Sequence, residues 1–354
     1  MMQRDADTID VRPEEALDTT RLEPYLRERL DGAGGAFELR QFGGGHANLT
    51  YLIRFGAREW VLRRPPLGPV APGAHDMRRE HRVLSTLHGG YPLAPQAYLL
   101  CTDHAIIGAD FFVMERRHGI AFRRDIPAPW VDRPDVLRGV GESLIDNLAA
   151  LHAVDPASVG LGELGKPDGY VTRQVHGWIN RWNNALTPDV GPAEPFTGWL
   201  RQTIPAARRA TLLHNDYKLD NTLLDADDPA RTVAVLDWDM CTRGEPLMDV
   251  GQLLALWGEK GDGGERLHGR MPTWHDGFFS RRDAAERYAR VSGADLSDLH
   301  WYVVFSMFRY AVIVQQIYIR YVRGQTHDER FRDMGAAVNQ ITQRGMDLID
   351  RGGI

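Results

Sequence analysis

A chain of 354 residues, 43% of them hydrophobic, is long enough to bury a substantial core and suits one large or two modest domains. A net charge of −6 argues against nucleic acid and against an anionic membrane as partner. Cys101 and Cys241 are its only cysteines, which excludes a disulfide framework and a cysteine-based zinc site. The acidic stretch Met1 to Asp10 lacks the apolar core of a signal peptide, so a cytoplasmic enzyme is expected.

In chain order, the charged segment up to Ala36 contains a helical pattern from Thr20 to Leu30. Leu22, Tyr25, Leu26 and Leu30 share one face, which predicts a packed leading helix behind a frayed tail. Phe37 to Phe42 and Leu49 to Phe55 read as strands, the second with Leu49, Tyr51, Ile53 and Phe55 at period two. Between them lies Gly43-Gly44-Gly45-His46-Ala47-Asn48. A Rossmann or Walker loop opens a helix, whereas a strand follows here. Two readings stay open: a glycine hairpin whose backbone N–H groups approach phosphates, or an ordinary hairpin turn. A third strand, Glu59 to Arg64, precedes a helix from about Asp76 to His88 stopped by Gly89-Gly90. Glu80 lies on that helix's apolar face with Met77, Leu84 and Leu87, and an inward carboxylate must find a partner. Tyr98 to Cys101 and Phe111 to Met114 complete a five-stranded antiparallel sheet.

The remainder reads as mostly helical. Asp132 and Pro134 open a helix with Val136, Leu137, Val140, Leu144, Leu148 and Leu151 at helical spacing, ending at a structural His152. A helix from Arg173 to Trp182 follows, then a Pro/Gly-rich loop from Leu186 to Gly198. Short strands are predicted around Thr222 to Leu224 and Val233 to Leu236. Glu245-Pro246 begins another helix, with Asp249 in its first turn, and a glycine-rich, mobile stretch runs from Gly258 to Asp276. Leu299 to Val322 is apolar and long enough to raise a membrane span. Arg309, Gln315, Gln316 and Arg320 interrupt it, which favours a central buried helix. A charged helix from His327 to Arg351 closes the chain.

Chemistry concentrates in His214-Asn215-Asp216-Tyr217-Lys218-Leu219-Asp220-Asn221, a His-x-Asp-x-x-x-x-Asn pattern, and in Val233-Ala234-Val235-Leu236-Asp237-Trp238, where an apolar run delivers one acidic residue. The pairing points to phosphoryl transfer from ATP. Asp216 would take the proton of a substrate hydroxyl, and Asn221 and Asp237 would offer the hard oxygens that Mg²⁺ prefers. His214 would hold the loop in shape through hydrogen bonds. Of 42 basic residues only Lys166, Lys218 and Lys260 are lysines, and Lys218 stands where a point charge could meet the γ-phosphate.

These two motifs with Asp249, and the stretches Leu148 to Leu161 (LAALHAVDPASVGL) and Gly169 to Trp182 (GYVTRQVHGWINRW), resemble the aminoglycoside phosphotransferase family of the protein-kinase-like group. The subtype most similar is the kinase-like domain joined in some proteins to an acyl-CoA dehydrogenase. The resemblance implies an α+β, bilobal protein-kinase-like fold: a nucleotide-binding lobe over residues 1–116, with five antiparallel strands and one helix besides the leading one, and a larger helical lobe over 117–354. It implies Gly43, Gly44 and Gly45 over the phosphates, adenine against backbone near Met114 and Glu115, and Asp249 bracing the catalytic loop. Glu80 would pair with a strand residue that holds the α/β-phosphates. That residue is normally lysine and is here Arg63, though the register also admits Arg64.

Trp178, Trp182, Trp274 and Trp301 would lie near the substrate, with core packing the commoner role for such residues. No dense acidic run suits a polycation, and Arg173 and Arg181 appear instead, which favours a neutral or anionic acceptor such as a hydroxy acid or hydroxyacyl compound. The expected function is a kinase using ATP and Mg²⁺ on a small-molecule hydroxyl. A nucleotide-binding regulator with little turnover and an aminoglycoside-modifying enzyme are the alternatives.

Overall fold

The computed structural model describes residues 7–43, 48–68, 75–191, 193–261 and 270–354. They form two compact units. The first takes the chain up to Gly119 together with Ser158–Leu161 and Val233–Cys241, and the second takes the rest.

The first unit is built on an antiparallel sheet of β1 (Thr8–Ile9), β2 (Phe37–Phe42), β3 (Leu49–Phe55), β4 (Arg58–Arg64), β5 (Ala97–Cys101) and β6 (Phe111–Glu115), in the order β1-β2-β3-β4-β6-β5. Alternation sets its two faces. Leu49, Tyr51, Ile53 and Phe55 of β3 join Phe111 and Val113 of β6 in one apolar cluster, closed by Leu22, Leu26 and Leu30 from α1 (Thr19–Arg29) and its C-cap. Asp18 caps α1 by accepting from the Thr20 N–H at 3.1 Å. Helix α2 (Met77–Leu87) packs on β5 and β6, with Met77, Glu80, Val83, Leu84 and Leu87 buried. Asp76 caps it through the Arg79 N–H at 3.0 Å. A single turn, α3 (His104–Ile107), lies between β5 and β6.

The sheet has one strand more than the five expected. Part of the segment read as a tail is an edge strand, with Thr8 opposite Phe42 and Ile9 opposite Gln41. Two residues are too few to show an alternation. The next turn is fixed by side chains from the sheet: the Arg12 N–H donates to Gln41 Oε1 at 3.0 Å, and the Tyr51 hydroxyl to the Glu15 carbonyl at 2.7 Å.

The second unit contains α4 (Ala128–Val131), α5 (Pro134–Ala153), α6 (Tyr170–Asn184), α7 (Glu194–Gln202), β7 (Thr211–Leu213), β8 (Thr222–Leu224), β10 (Thr242–Gly244), α8 (Leu247–Leu256), α9 (Arg281–Ser292), α10 (Leu299–Val322) and α11 (Met334–Arg351). Strand β9 (Thr232–Val235) carries the chain into the Val233–Cys241 stretch of the first unit. Helix α10 is long and apolar enough to cross a membrane, yet 78% of its most apolar window is buried inside the fold, against α6, α8 and α11. Its interrupting Gln315 is tied down through its amide nitrogen, which donates to the Ala185 carbonyl at 2.6 Å and to Thr187 Oγ1 at 3.1 Å, while its buried Oε1 has no hydrogen-bond partner among the described residues. Helices α8 and α10 pass so closely at Gly251 that an added Cβ would stand 2.6 Å from the Tyr302 backbone, so only glycine fits.

Three sequence expectations change here. The loop expected to run to Gly198 ends earlier, because α7 starts at Glu194: Pro195 is compatible with a first turn, and Phe196 and Leu200 are fully buried. Helix α9 was not foreseen, although Ser280 and Asp283 form a capping box and Gly293 ends it at φ 70°. The last helix begins at Met334, after one 3-10 turn at Glu329–Phe331, not at His327. The mobile stretch expected between Gly258 and Asp276 falls partly on 262–269, outside the described residues. Its described flanks are tied down, the Gly258 N–H donating to Thr273 Oγ1 at 2.7 Å.

If α1 is an integral part of the first core, Leu26→Ala should destabilise the protein by about 2–5 kcal/mol, the range for a fully buried leucine. Urea unfolding of both proteins measures it.

Candidate active site

In the first unit, the site grows from the pleat of β4. Consecutive residues point to opposite faces, so Arg63 and Arg64 diverge. Arg64 Nη1 donates to the Ile107 carbonyl at 3.1 Å. Arg63 turns toward α2, its Nε 3.2 Å from Glu80 Oε2 and its Nη2 2.5 Å from Asp237 Oδ1. Asn48, with its amide oriented to satisfy both neighbours, accepts from Arg63 Nε at 3.2 Å and Nη2 at 2.7 Å and turns its Nδ2 to His75 Nδ1 at 2.8 Å. Asp237 follows β9 in the left-handed region, at φ 67°. That stretch is anchored by the Val235 N–H on the Leu93 carbonyl at 2.8 Å and by a fully buried Trp238 edge-on to Tyr91.

Burial opposes ionisation of both partners in the Arg63–Glu80 pair, with different results. For Arg63, the carboxylates of Glu80, Asp237 and Asp239 outweigh desolvation and raise its pKa further, so the guanidinium stays charged. Burial pushes the Glu80 carboxyl well up, with Arg63 pulling the other way.

Of the expected phosphate loop, Gly43 lies beside Ile9, while Gly44 and Gly45 fall outside the described residues. Met114 and Glu115 end β6. The Glu115 N–H is taken by the Gln96 carbonyl at 2.8 Å, and the Glu115 carboxylate pairs with Arg117 at 2.8 Å. A purine could therefore not draw its hydrogen bond from that amide, and neighbouring backbone groups would have to serve.

The second unit holds the His214–Asn221 loop between β7 and β8. Strand β7 pairs with β10, which leads directly into α8. The first turn of α8 carries Asp249, 1% exposed, into the base of the loop. Its carboxylate accepts from the His214 N–H at 2.7 Å and the Asn215 N–H at 2.8 Å, with His152 Nε2 at 3.3 Å. The other ring nitrogen of His152 lies 2.7 Å from the Tyr288 hydroxyl of α9. Burial alone would raise the Asp249 pKa, but the hydrogen bond and charge of His152, with His214, hold it below the usual carboxylate range. Asn215 is left-handed, at φ 64°, and its Oδ1 accepts from the Tyr170 hydroxyl at 2.9 Å. His214 Nδ1 accepts from the Asp216 N–H at 3.2 Å, so the imidazole holds the loop's shape.

Asp216 is the hub of this loop. Lys218 Nζ lies 3.0 Å from both carboxylate oxygens, Asn221 Nδ2 donates to Oδ2 at 2.7 Å, and Gln252 Nε2 donates to Oδ1 at 3.3 Å. Lys218, read as a phosphate ligand, is thus an ion-pair partner of Asp216 in this structure. Asn221 has its nitrogen committed to Asp216, so a metal would take its amide oxygen. Asp237 offers a carboxylate. Each is an oxygen donor of the kind magnesium takes alongside waters and substrate phosphates.

Trp178, Trp182 and Trp301 are buried core residues, while Trp274 is half-buried. Sequence reasoning missed Gln252, Asn48, Tyr170 and Tyr288. Gln252 carried a signal, because it sits three residues after Asp249 on the same helix face.

A charge-paired arginine against a buried helix glutamate, and an aspartate loop braced by a second aspartate, are the marks of a kinase-like phosphotransferase. The chain belongs to the phosphotransferase enzyme family (APH), whose profile matches residues 38–289. It is 31% identical over 353 residues to the rat protein acyl-CoA dehydrogenase family member 11, covering 98% of this chain and 45% of that one, so it spans under half the length of this relative. Among solved structures, a presumed aminoglycoside phosphotransferase from Ralstonia eutropha superposes with a TM-score of 0.82 at 28% identity, over 95% of this chain and 99% of that one. Aminoglycoside phosphotransferase APH(4)-Ia, solved with AMP-PNP and hygromycin B, shares the fold with a TM-score of 0.58 at 16% identity, over 92% and 98% of the two chains.

Asp249 sets a pH dependence. Its folded pKa is depressed, so its stabilising contribution is full above the ordinary carboxylate range and is lost as pH falls through the folded value. Asp249→Asn should lower stability at neutral pH by roughly 2–4 kcal/mol and flatten the acid limb below about pH 4. Urea titrations across pH read both effects.

Proposed function

We propose that this phosphotransferase moves the γ-phosphate of Mg·ATP to the hydroxyl of a small neutral or anionic molecule, a hydroxy acid or hydroxyacyl compound. The observation that carries the reading is Asp216, a carboxylate oriented by Lys218, Asn221 and Gln252 on a loop fixed by Asp249. A protein that only binds nucleotide has no use for such a base. Asp216 would accept the hydroxyl hydrogen bond, align the oxygen for in-line attack and take its proton as the new bond forms. Lys218, two residues on, would shift toward the transferred phosphoryl group as negative charge builds there. Arg63 would hold the nucleotide phosphates while Glu80 fixes its direction. Asn221 and Asp237 would hold magnesium, which neutralises phosphate charge when bound.

Support for ATP comes from this residue set and from the fold shared with a phosphotransferase crystallised with AMP-PNP. Support for an acyl-type acceptor comes from the relatives named as acyl-CoA dehydrogenase family members. The lack of a dense acidic run in the helical part, where Arg173 and Arg181 appear instead, disfavours a polycationic acceptor.

Asp216→Asn separates chemistry from binding. The substitution nearly preserves volume and leaves Arg63 and Asp237 untouched. Mg·ATP affinity by calorimetry should be close to wild type, while phosphoryl transfer, followed by ADP release over hydroxy acids, choline-like amines and aminoglycosides, should fall roughly 10²–10⁴-fold. Wild-type turnover in this variant would remove Asp216 as the base. Tight nucleotide binding with no acceptor turned over would favour a regulator.

A further inference from the structure

Helix α10 carries a cation into the interior of the second unit. Arg309 is 5% exposed and makes no hydrogen bond or ion pair among the described residues; its Nε and Nη1 are both buried without an acceptor. By contrast, the buried Arg63 of the first unit is met by Glu80, Asp237 and Asn48. The contact that Arg309 does make is with the face of Trp178, 5.3 Å to the ring centroid, and that ring already carries Arg181.

A guanidinium does not discharge in a protein, so burial here cannot be relieved by losing a proton. An isolated buried charge is strongly unfavourable, and stacking on an indole offsets only a fraction of that. The anionic groups that feel its field are Asp216 and Asp249, with Tyr170 beside them. Both carboxylates are already engaged, Asp249 with the His214 and Asn215 amides and Asp216 with Lys218, Asn221 and Gln252. One turn earlier on α10, Ser306 is 4% exposed, and its hydroxyl also lacks a hydrogen-bond partner. Residues three apart share a helix face, so two orphaned donors lie on one face of α10, and the Arg309 charge is within electrostatic reach of Asp216.

We propose that Arg309, with Ser306, is the recognition site for a carboxylate on the phosphate acceptor, so that a hydroxy acid is held by its acid end with its hydroxyl toward Asp216. This rests on the reading of Asp216 as the group that receives the acceptor hydroxyl. Arg309 is then a specificity residue. It selects anionic acceptors and takes no part in the proton transfer.

The test pairs each of three hydroxy acids with a diol in which the carboxylate is replaced: glycolate with ethylene glycol, 3-hydroxybutyrate with 1,3-butanediol, and 6-hydroxyhexanoate with 1,6-hexanediol. Binding to the full chain is measured by thermal shift and calorimetry with Mg·AMP-PNP present, for wild type, Arg309→Met and Arg309→Lys. At least one hydroxy acid should bind wild type roughly 10- to 100-fold more tightly than its diol, the range for a hydrogen-bonded charge. Arg309→Met should abolish that preference and Arg309→Lys should keep part of it. Without ligand, Arg309→Met should melt no lower than wild type, because it removes an unpaired charge. Equal binding of acids and diols, or a preference that survives in Arg309→Met, would overturn the proposal. So would a loss of Mg·AMP-PNP affinity in Arg309→Met, because the anion met by Arg309 would then be a nucleotide phosphate. Carboxylate-dependent binding without phosphate transfer in any pair would leave this site standing and remove the kinase reading.

Discussion

A buried guanidinium must be met by oxygen, and in the first unit that requirement falls on Arg63. Three separate stretches answer it: Asn48 at the start of β3, Glu80 on α2 and Asp237 after β9. Strand, helix and the late-arriving turn are held in register by one cation. Arginine suits the position because its fork presents several donors at fixed angles, where a lysine would offer a compact point charge. The substitution accords with a chain that retains three lysines among 42 basic residues. Burial raises the Glu80 pKa even with Arg63 beside it, and Arg63 offsets only part of that desolvation.

The second unit solves the opposite problem. There the buried charge is a carboxylate, Asp249, met by two backbone amides and His152. Those amides belong to His214 and Asn215, just before Asp216, and Asn215 itself adopts a left-handed conformation that branched residues avoid. The loop's strain is thereby tied to a charge that cannot be exposed without loss of stability. The buried charges of Arg63 and Asp249 are met inside the protein, whereas that of Arg309 has no hydrogen-bond or ion-pair partner among the described residues. That contrast separates groups that organise the fold from a group that awaits a ligand.

Much of this was legible in sequence because the relevant patterns are local. Period two in β3 gave the sheet, and the position of Glu80 among Met77, Leu84 and Leu87 showed a carboxylate aimed inward. The spacing of His214, Asp216 and Asn221 named the loop. What escaped depends on contacts between distant segments. Nothing near Lys218 indicates that its ammonium rests on Asp216, nor does the sequence around Asn48 show that its amide meets Arg63. The choice between Arg63 and Arg64 is a matter of strand register, which adjacent identical residues cannot reveal. Edge strand β1 was hidden by its length. Helix α9 was hidden by a moderate apolar pattern, although its capping box stood in plain sequence.

The proposed nucleotide site depends on Arg63 receiving the phosphates. Calorimetric titration of Mg·AMP-PNP into wild type, Arg63→Lys, Arg63→Met and Arg64→Met tests it most directly. Arg63→Lys should bind within a few-fold of wild type, Arg64→Met should be unaffected, and Arg63→Met should weaken binding by about 30-fold or more. Full affinity in Arg63→Met, or its loss in Arg64→Met, would contradict the assignment.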